Sequence, residues 1–268
     1  MRKQQRIKLV FSYILLVLIA IGCIYPALWI ILSSLKEGDS LHSETLIPQK
    51  LTLEHYMDLF RSQSDKDLPY LTWYWKTLKI AVNSMILGTL FQVLTAYAMS
   101  LVLILGMFPG FMSMIAVYVI LLQMNLLNSP WVLVLVYTSG AALGMFVAKG
   151  FFDTIPRALE ESALLDGASH FQIFSHIIVP LSMPIITYIA LTTFAGAWVD
   201  FIFARLILRS KENWTLAVGL YELVNTYSST EFTLFAAGSV LVALPITLLY
   251  MFLQRFLVHG LAAGATKG

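Results

Sequence analysis

An all-α, polytopic integral membrane protein with about six transmembrane helices is the fold class this sequence predicts. Hydrophobic residues make up 59% of the 268-residue chain and charged residues only 12%, about half the ~25% usual in soluble domains. Mean hydropathy is +0.79. The apolar residues come in long continuous runs and not in the alternation of barrel strands. From Ile80 to Ala148 there is no Asp, Glu, Lys, Arg or His, a stretch long enough for three spans of ~20 residues each. This composition excludes disordered, collagen-like and coiled-coil chains. A net charge of +2 is too small to suggest nucleic acid as a partner. The single Cys23 lies in an apolar run, so no disulfide framework and no cysteine metal site is expected. Neither a metal nor a cofactor is expected.

The first element follows Arg2, Lys3, Arg6 and Lys8 and runs apolar over about 9–35. That is too long for the ~7–15-residue core of a signal peptide, and it predicts a span with a cytoplasmic N-terminus. Residues 36–76 are polar and mixed, and predict an extracytoplasmic loop with an amphipathic helix around Leu53–Phe60. The loop reads as a solvated connector or as a lip that touches an external partner. The uncharged stretch divides into spans at about 79–99, 101–124 and 130–152. Asn125 to Ser129 form a turn and Pro130 opens the next helix. Pro109-Gly110 should kink the middle span, and Tyr97-Ala98-Met99-Ser100 is the only break between the first two. Residues 153–181 are polar again, and two further spans are predicted at about 183–206 and 232–256. A second outer segment begins at Arg209–Trp214. Six spans make one transmembrane domain over 1–268 with both termini in the cytoplasm. Among the charges, the dense basic N-terminus carries most of the orientation signal.

Several chemistries are absent. No G-x-x-x-x-G-K-[ST] occurs, so ATP hydrolysis is expected in a separate subunit and not here. His42, His55, His170, His176 and His259 all fall outside the predicted spans, which argues against a protease dyad or metal site inside the bilayer. Asp200 is the main charge within a span. It reads as an interface residue paired with Arg205 or a neighbouring helix, as part of a substrate path, or as a proton-relay group, which would need further ionisable groups in series.

The polar segment 153–181 is the most informative. Asp153 or Thr154 is placed to cap a helix carrying Pro156 in its first turn. Gly167 should stop that helix in a left-handed conformation. Ser169-x-x-Gln172 is a capping box that starts a second helix, and Pro180 should end it. Ala163, Leu164, Ile173, Phe174 and Ile177 would give the pair an apolar stripe. The bland reading is an amphipathic interfacial loop; paired caps at a sharp corner favour a rigid docking knob.

The segment resembles the EAA loop of ABC importer permeases, E-A-A-x3-G-x9-I-x-L-P. Glu161-Ser162-Ala163, Gly167, Ile177, Val179 and Pro180 match with every spacing kept, Ser162 and Val179 being mild departures. Asp166-Gly167-Ala168 and Pro180-x-x-x-Pro184 look like the carbohydrate branch. The C-terminus over 254–268, from Gln254-Arg255-Phe256 to Thr266-Lys267-Gly268, resembles the tail of the six-span maltose-type permease. Met107-Phe108-Pro109-Gly110 and Trp198-Val199-Asp200-Phe201-Ile202-Phe203 are similar to the maltodextrin members. One departure stands out: relatives carry a basic segment between the second and third spans, whereas here Ser100 runs straight into Leu101.

The resemblance implies a translocation subunit, not an enzyme, in the bacterial cytoplasmic membrane. Its partners would be a second homologous permease, two ATP-binding cassette ATPases, an extracytoplasmic sugar-binding protein, membrane lipid and an oligosaccharide of maltose or maltodextrin type. The coupling residues it implies are Glu160, Glu161, Ser162, Ala163, Asp166, Gly167, Ala168, Ile177 and Pro180. Asn83, Gln92, Gln123 and Trp198 are candidates to line a sugar path, or, for the polar three, interhelical hydrogen bonds. In this family the principal sugar site can lie in the partner permease. The alternatives are an ion-coupled secondary transporter, which would need charged or broken-helix sites at mid-membrane, and a membrane docking subunit that does not transport.

Overall fold

The computed structural model describes residues 2–38, 50–61, 69–98, 110–140, 142–226 and 232–265. In chain order the helices are α1 (Arg2–Ser34), α2 (Glu54–Phe60), α3 (Tyr70–Ala98), α4 (Gly110–Gln123), α5 (Pro130–Ser139), α6 (Ala142–Phe152), α7 (Arg157–Leu165) and α8 (His170–Ile173). A π-helical turn, Phe174–Ile178, leads into α9 (Val179–Leu181), followed by α10 (Met183–Val199) and α11 (Ile202–Ile207). After a 3-10 turn at Lys211–Asn213 come α12 (Leu216–Thr226) and α13 (Phe232–Ala265). The described residues carry no named strand, only an isolated bridge between Lys36 and Leu51.

Among the described residues, four helical stretches are long and apolar enough to cross a bilayer: Lys8–Ser34, Tyr70–Tyr97, Pro130–Phe152 and Phe232–Leu257. A fifth candidate is the pair His170–Leu181 and Met183–Val199, bent by 78°. Ser113–Gln123 is a shorter apolar helix. The span expected at 101–124 is therefore described only from Gly110. The tight link at Ser100 and the Pro109 kink lie outside the described residues.

Two predicted boundaries are corrected. Helix α3 starts at Tyr70, well ahead of 79. Tyr70 and Trp73 are each 1% exposed, so burial extends the helix through a segment that Lys76 and Lys79 made look like loop. The run 183–206 is not one helix. Asp200 adopts φ −64, ψ 126, and its Oδ2 accepts the Ala204 N–H at 2.8 Å. A short acidic side chain that bonds backbone four residues ahead competes with the helical ladder and starts a new helix.

The chain divides into two compact units. In the first, residues 1–70 and 220–244, α1 exposes a continuous apolar face from Leu9 to Ile24, as lipid contact requires. Below it Ser34 and Tyr56 share a hydroxyl hydrogen bond of 2.7 Å, His55 Nε2 bonds the Lys36 carbonyl at 2.8 Å, and Tyr70 donates to the Gly238 carbonyl at 3.0 Å. The amphipathic helix expected near Leu53–Phe60 is α2, with His55 and Leu59 buried.

In the second unit, residues 71–219 and 245–268, Ile80, Leu121, Leu133, Phe203, Ile207 and Val218 form a buried core joining α3, α4, α5, α11 and α12. Helix α3 runs its length. Near its start Trp73 Nε1 donates to the Lys211 carbonyl at 2.8 Å. At its other end the Tyr97 ring lies 4.9 Å from that of Phe174. At 1.5 Å per residue these ends are about 36 Å apart, a little more than the ~30 Å of a bilayer's hydrocarbon. At the Trp73 end, Asn128 (φ +63) joins two loops. Its Oδ1 accepts from the Arg209 and Ser210 amides, each at 3.0 Å, and from Ser210 Oγ at 3.1 Å. Its carbonyl accepts Asn213 Nδ2 at 2.7 Å, and its own N–H donates to the Ile207 carbonyl at 2.9 Å.

Candidate functional site: a helical corner joined to a membrane cavity

The segment after α6 begins with an ion pair between Lys149 and Asp153. Asp153 and Thr154 do not cap α7. Its N-cap is Pro156 with no side-chain bond, and Thr154 Oγ1 donates back to the Phe151 carbonyl at 2.7 Å. The other end of α7 forms as the sequence dictates. Gly167 has φ +85, its N–H donates to Leu164 at 3.0 Å, and the Ala168 N–H donates to Ala163 at 2.9 Å. This 5→2 and 6→1 pair is a Schellman cap, which needs a residue without a Cβ at the left-handed position. The next residue, Ser169, opens α8 with both halves of a capping box.

Pro180 does not end the second helix. A π turn precedes it, in which the Val179 N–H reaches back to Phe174. Proline lacks a donor and its ring collides with the carbonyl four residues back; widening the turn removes the collision. The helix stops two residues later at Ser182, where φ −96, ψ 8 breaks the path into α10.

Asp166, Gly167, Ala168 and Ile177 come together around a notch of about 340 Å³ that also takes in Gln172 and His176. Glu161, Ser162 and Pro180 are exposed elsewhere on the same corner, and Glu160 and Ala163 are half-buried. The expected apolar stripe is split: Ile173 is buried, Phe174 packs at a tilt against Tyr97, and Leu164 faces outward. Leu165, 90% exposed, and Phe171, 75% exposed, flank the Gly167 corner. Sequence reasoning missed both, although their places beside the paired caps were the available signal.

The helices on either side of this corner, α6 and α10, contribute to the lining of a cavity of about 750 Å³. Its polar lining includes Gln92, Tyr137, Tyr188, Thr192, Thr193 and Asp200. Gln92 is 2% exposed and donates to Thr193 Oγ1 at 3.3 Å. A Cβ on Gly144 would lie 1.6 Å from Gln92 Oε1, so the Gln92 amide holds this position against α6 only because residue 144 is glycine. Tyr137 on α5 donates to Asp200 Oδ2 at 2.7 Å, so Asp200 is tied to a neighbouring helix, as one of its readings had it. The Arg205 guanidinium sits 5.3 Å over the Trp214 ring.

Of the four path candidates, Gln92 alone lines this cavity. Asn83 bonds its own helix at the Lys79 carbonyl, 2.7 Å away, and Gln123 is exposed at the end of α4. Trp198 is 1% exposed, stacked on Phe194 and met edge-on by Tyr74. Tyr137, Tyr188 and Thr192 were not singled out in the sequence, because only the packing of α5 against α10 brings them to one space. The described residues hold no cluster of three His, Cys, Asp or Glu able to bind a metal ion.

Comparison with known proteins agrees with this architecture. The chain is 39% identical to the galactooligosaccharides transport system permease protein GanQ of Bacillus subtilis, over 100% of this chain and 99% of that one. It is 36% identical to the maltodextrin transport system permease protein MalD of Streptococcus pneumoniae, over 99% and 98% of the two chains. Identity to the maltose/maltodextrin permease protein MalG of Escherichia coli is 32%, over 99% and 98%. A crystal structure of a bacterial ABC transporter involved in alginate import shares the fold with a TM-score of 0.78, covering 94% of this chain and 97% of that one at 22% identity. Residues 81–262 match the family described as the binding-protein-dependent transport system inner membrane component. With relatives aligned end to end and the paired-cap corner in place between α6 and α10, the chain belongs to that family of inner membrane transport components.

Proposed function

We infer that the chain is the translocation subunit of an ATP-driven ABC importer for oligosaccharides of the maltodextrin or galactooligosaccharide class. The observation that carries this is the covalent continuity between the corner and the cavity. Helix α6 leads into the corner and α10 leads out of it, and both line the 750 Å³ space. A push on the corner therefore acts on the cavity walls directly. The exposed Glu161, Leu165 and Phe171 offer a mixed acidic and apolar surface suited to a protein partner. That partner is one of two ATPase subunits on the cytoplasmic side. A second, homologous permease completes the pathway, and an extracytoplasmic binding protein delivers the sugar.

In this mechanism, closure of the ATPases moves the corner as a rigid body. The break at Ser182 and the 78° bend turn that motion into a tilt of α10. The coupling is reciprocal, so loaded binding protein stimulates ATP hydrolysis. The length of α3 supports opposite membrane faces for the corner and the Asn128 loops, with six spans and both termini in the cytoplasm.

The test is reconstitution of this chain with its partner permease, ATPase and binding protein in vesicles, followed by a sugar screen. ATP-dependent uptake of maltodextrins or galactooligosaccharides is expected. Uptake driven by an ion gradient without ATP, or assembly with the ATPase and no uptake of any sugar, would overturn the reading.

A further inference from the structure

The cavity between α5 and α10 holds one carboxylate, and none of its described lining residues is Lys, Arg or His. Both hydrogen bonds to that carboxylate, from the Tyr137 hydroxyl and the Ala204 amide, fall on Oδ2. Among the described residues Oδ1 accepts none, and it remains available to a ligand donor. The other polar lining groups are neutral: the Gln92 amide, the hydroxyls of Thr192, Thr193, Ser113 and Ser139, and the phenols of Tyr137 and Tyr188. These can donate to and accept from hydroxyls, and the two tyrosine rings offer flat apolar faces. The volume lies within the ~300–1,000 Å³ of small-molecule sites.

We propose that this cavity is a saccharide-contacting site carried by this chain itself, and that Asp200 makes it selective for neutral sugars over uronates. The proposal rests on the sugar-importer reading and deepens it. A sugar hydroxyl can donate to Oδ1. A uronate carboxylate brought to the same place meets a like charge with no cation among the described lining residues, and in a space of low dielectric that repulsion is only weakly attenuated. Selectivity of this kind comes from a group that disfavours the wrong ligand as much as from one that favours the right ligand.

The charge can be removed while its structural work stays. In Asp200→Asn the side chain keeps an acceptor for Tyr137 and Ala204, and Asn serves as well as Asp at a helix start. A second variant adds charge without touching that cap. A Cβ at Gly196, which lines the cavity, meets nothing within 4 Å, so Gly196→Lys places a cation there. The measurement is equilibrium binding of maltotriose and of trigalacturonate to the purified assembly of this chain with its partner permease and ATPase, without binding protein.

The wild-type assembly is expected to bind maltotriose and to discriminate against trigalacturonate. Asp200→Asn should narrow that discrimination by about tenfold, the factor given by removing roughly 1.4 kcal/mol of repulsion. Gly196→Lys should narrow it as well. An unchanged ratio in both variants, or a wild-type assembly that binds neither saccharide, overturns the proposal. ATP-dependent sugar uptake with binding protein present would in either case leave the importer reading standing, so the two failures are distinguishable.

Discussion

The corner at Gly167 and the interior of the helical bundle are built by opposite rules. At the corner, the C-terminus of α7 and the N-terminus of α8 have their backbone groups closed by named partners: a Schellman cap, then a capping box, with no residue between them. Inside the bundle, polar groups are left over. Ser84, Thr89 and Thr138 each bury a hydroxyl with no partner among the described residues, and so does Ser182 at the break before α10. An unmet buried hydroxyl costs about 1–3 kcal/mol. The difference teaches where stiffness and compliance are placed. Under the proposed mechanism, the part that would receive force is locked by local hydrogen bonds, and the part that would rearrange carries buried hydroxyls unmet by any described residue.

The largest effect that would break this contrast comes from Gly167→Val. A Cβ there meets no atom within 4 Å, but φ is +85. The cost is therefore backbone strain of about 1–3 kcal/mol, not a clash, and it re-aims the corner. Sugar uptake should fall at least about tenfold, the factor of 1.4 kcal/mol, while the protein still reaches the membrane. Normal uptake would show that the corner need not be rigid.

Next is Gly144→Leu, which tests the bundle side. It forces Gln92 out of its place over α6, and overpacking of this kind costs about 1–3 kcal/mol. A lower melting temperature of the purified assembly is expected. An unchanged one would mean that the α3–α6 contact is looser than described. Smaller still is Glu161→Lys, at an exposed site on α7. It should reduce co-purification of the ATPase or uncouple hydrolysis from uptake while leaving the melting temperature alone. Wild-type behaviour in both assays would make Glu161 a solvated face residue. The smallest effect is expected for Ser182→Ala. Deleting a hydroxyl that bonds none of the described residues should leave stability equal or slightly raised in thermal denaturation, and a loss above about 2 kcal/mol would reveal a partner for that group.

What the sequence disclosed follows the same division. The corner was legible to the residue because caps are local: Gly167, Ser169 and Gln172 act on backbone within five positions. The errors there were also local. Pro156 took the capping position from Asp153 and Thr154, and a π turn absorbed Pro180. The cavity was not legible, since Tyr137, Tyr188 and Gln92 meet only through helix packing. Hydropathy alone could not see the break at Asp200, because Phe201 to Leu206 are apolar apart from Arg205 and look like more of the same span. The early start of α3 was hidden for the converse reason, two lysines in a helix whose Tyr70 and Trp73 are buried.

Asn128 ties its turn to the strip from Ile207 to Asn213 through five hydrogen bonds. Three of them converge on a single amide oxygen, so they share one fate: a rotation of that side chain releases all three together. These three contacts therefore have a single point of release, so opening of this junction is expected to be concerted and not stepwise. In hydrogen exchange, the amides of Arg209 and Ser210 should open at one common rate, and any ligand seated against this surface would slow both by the same factor.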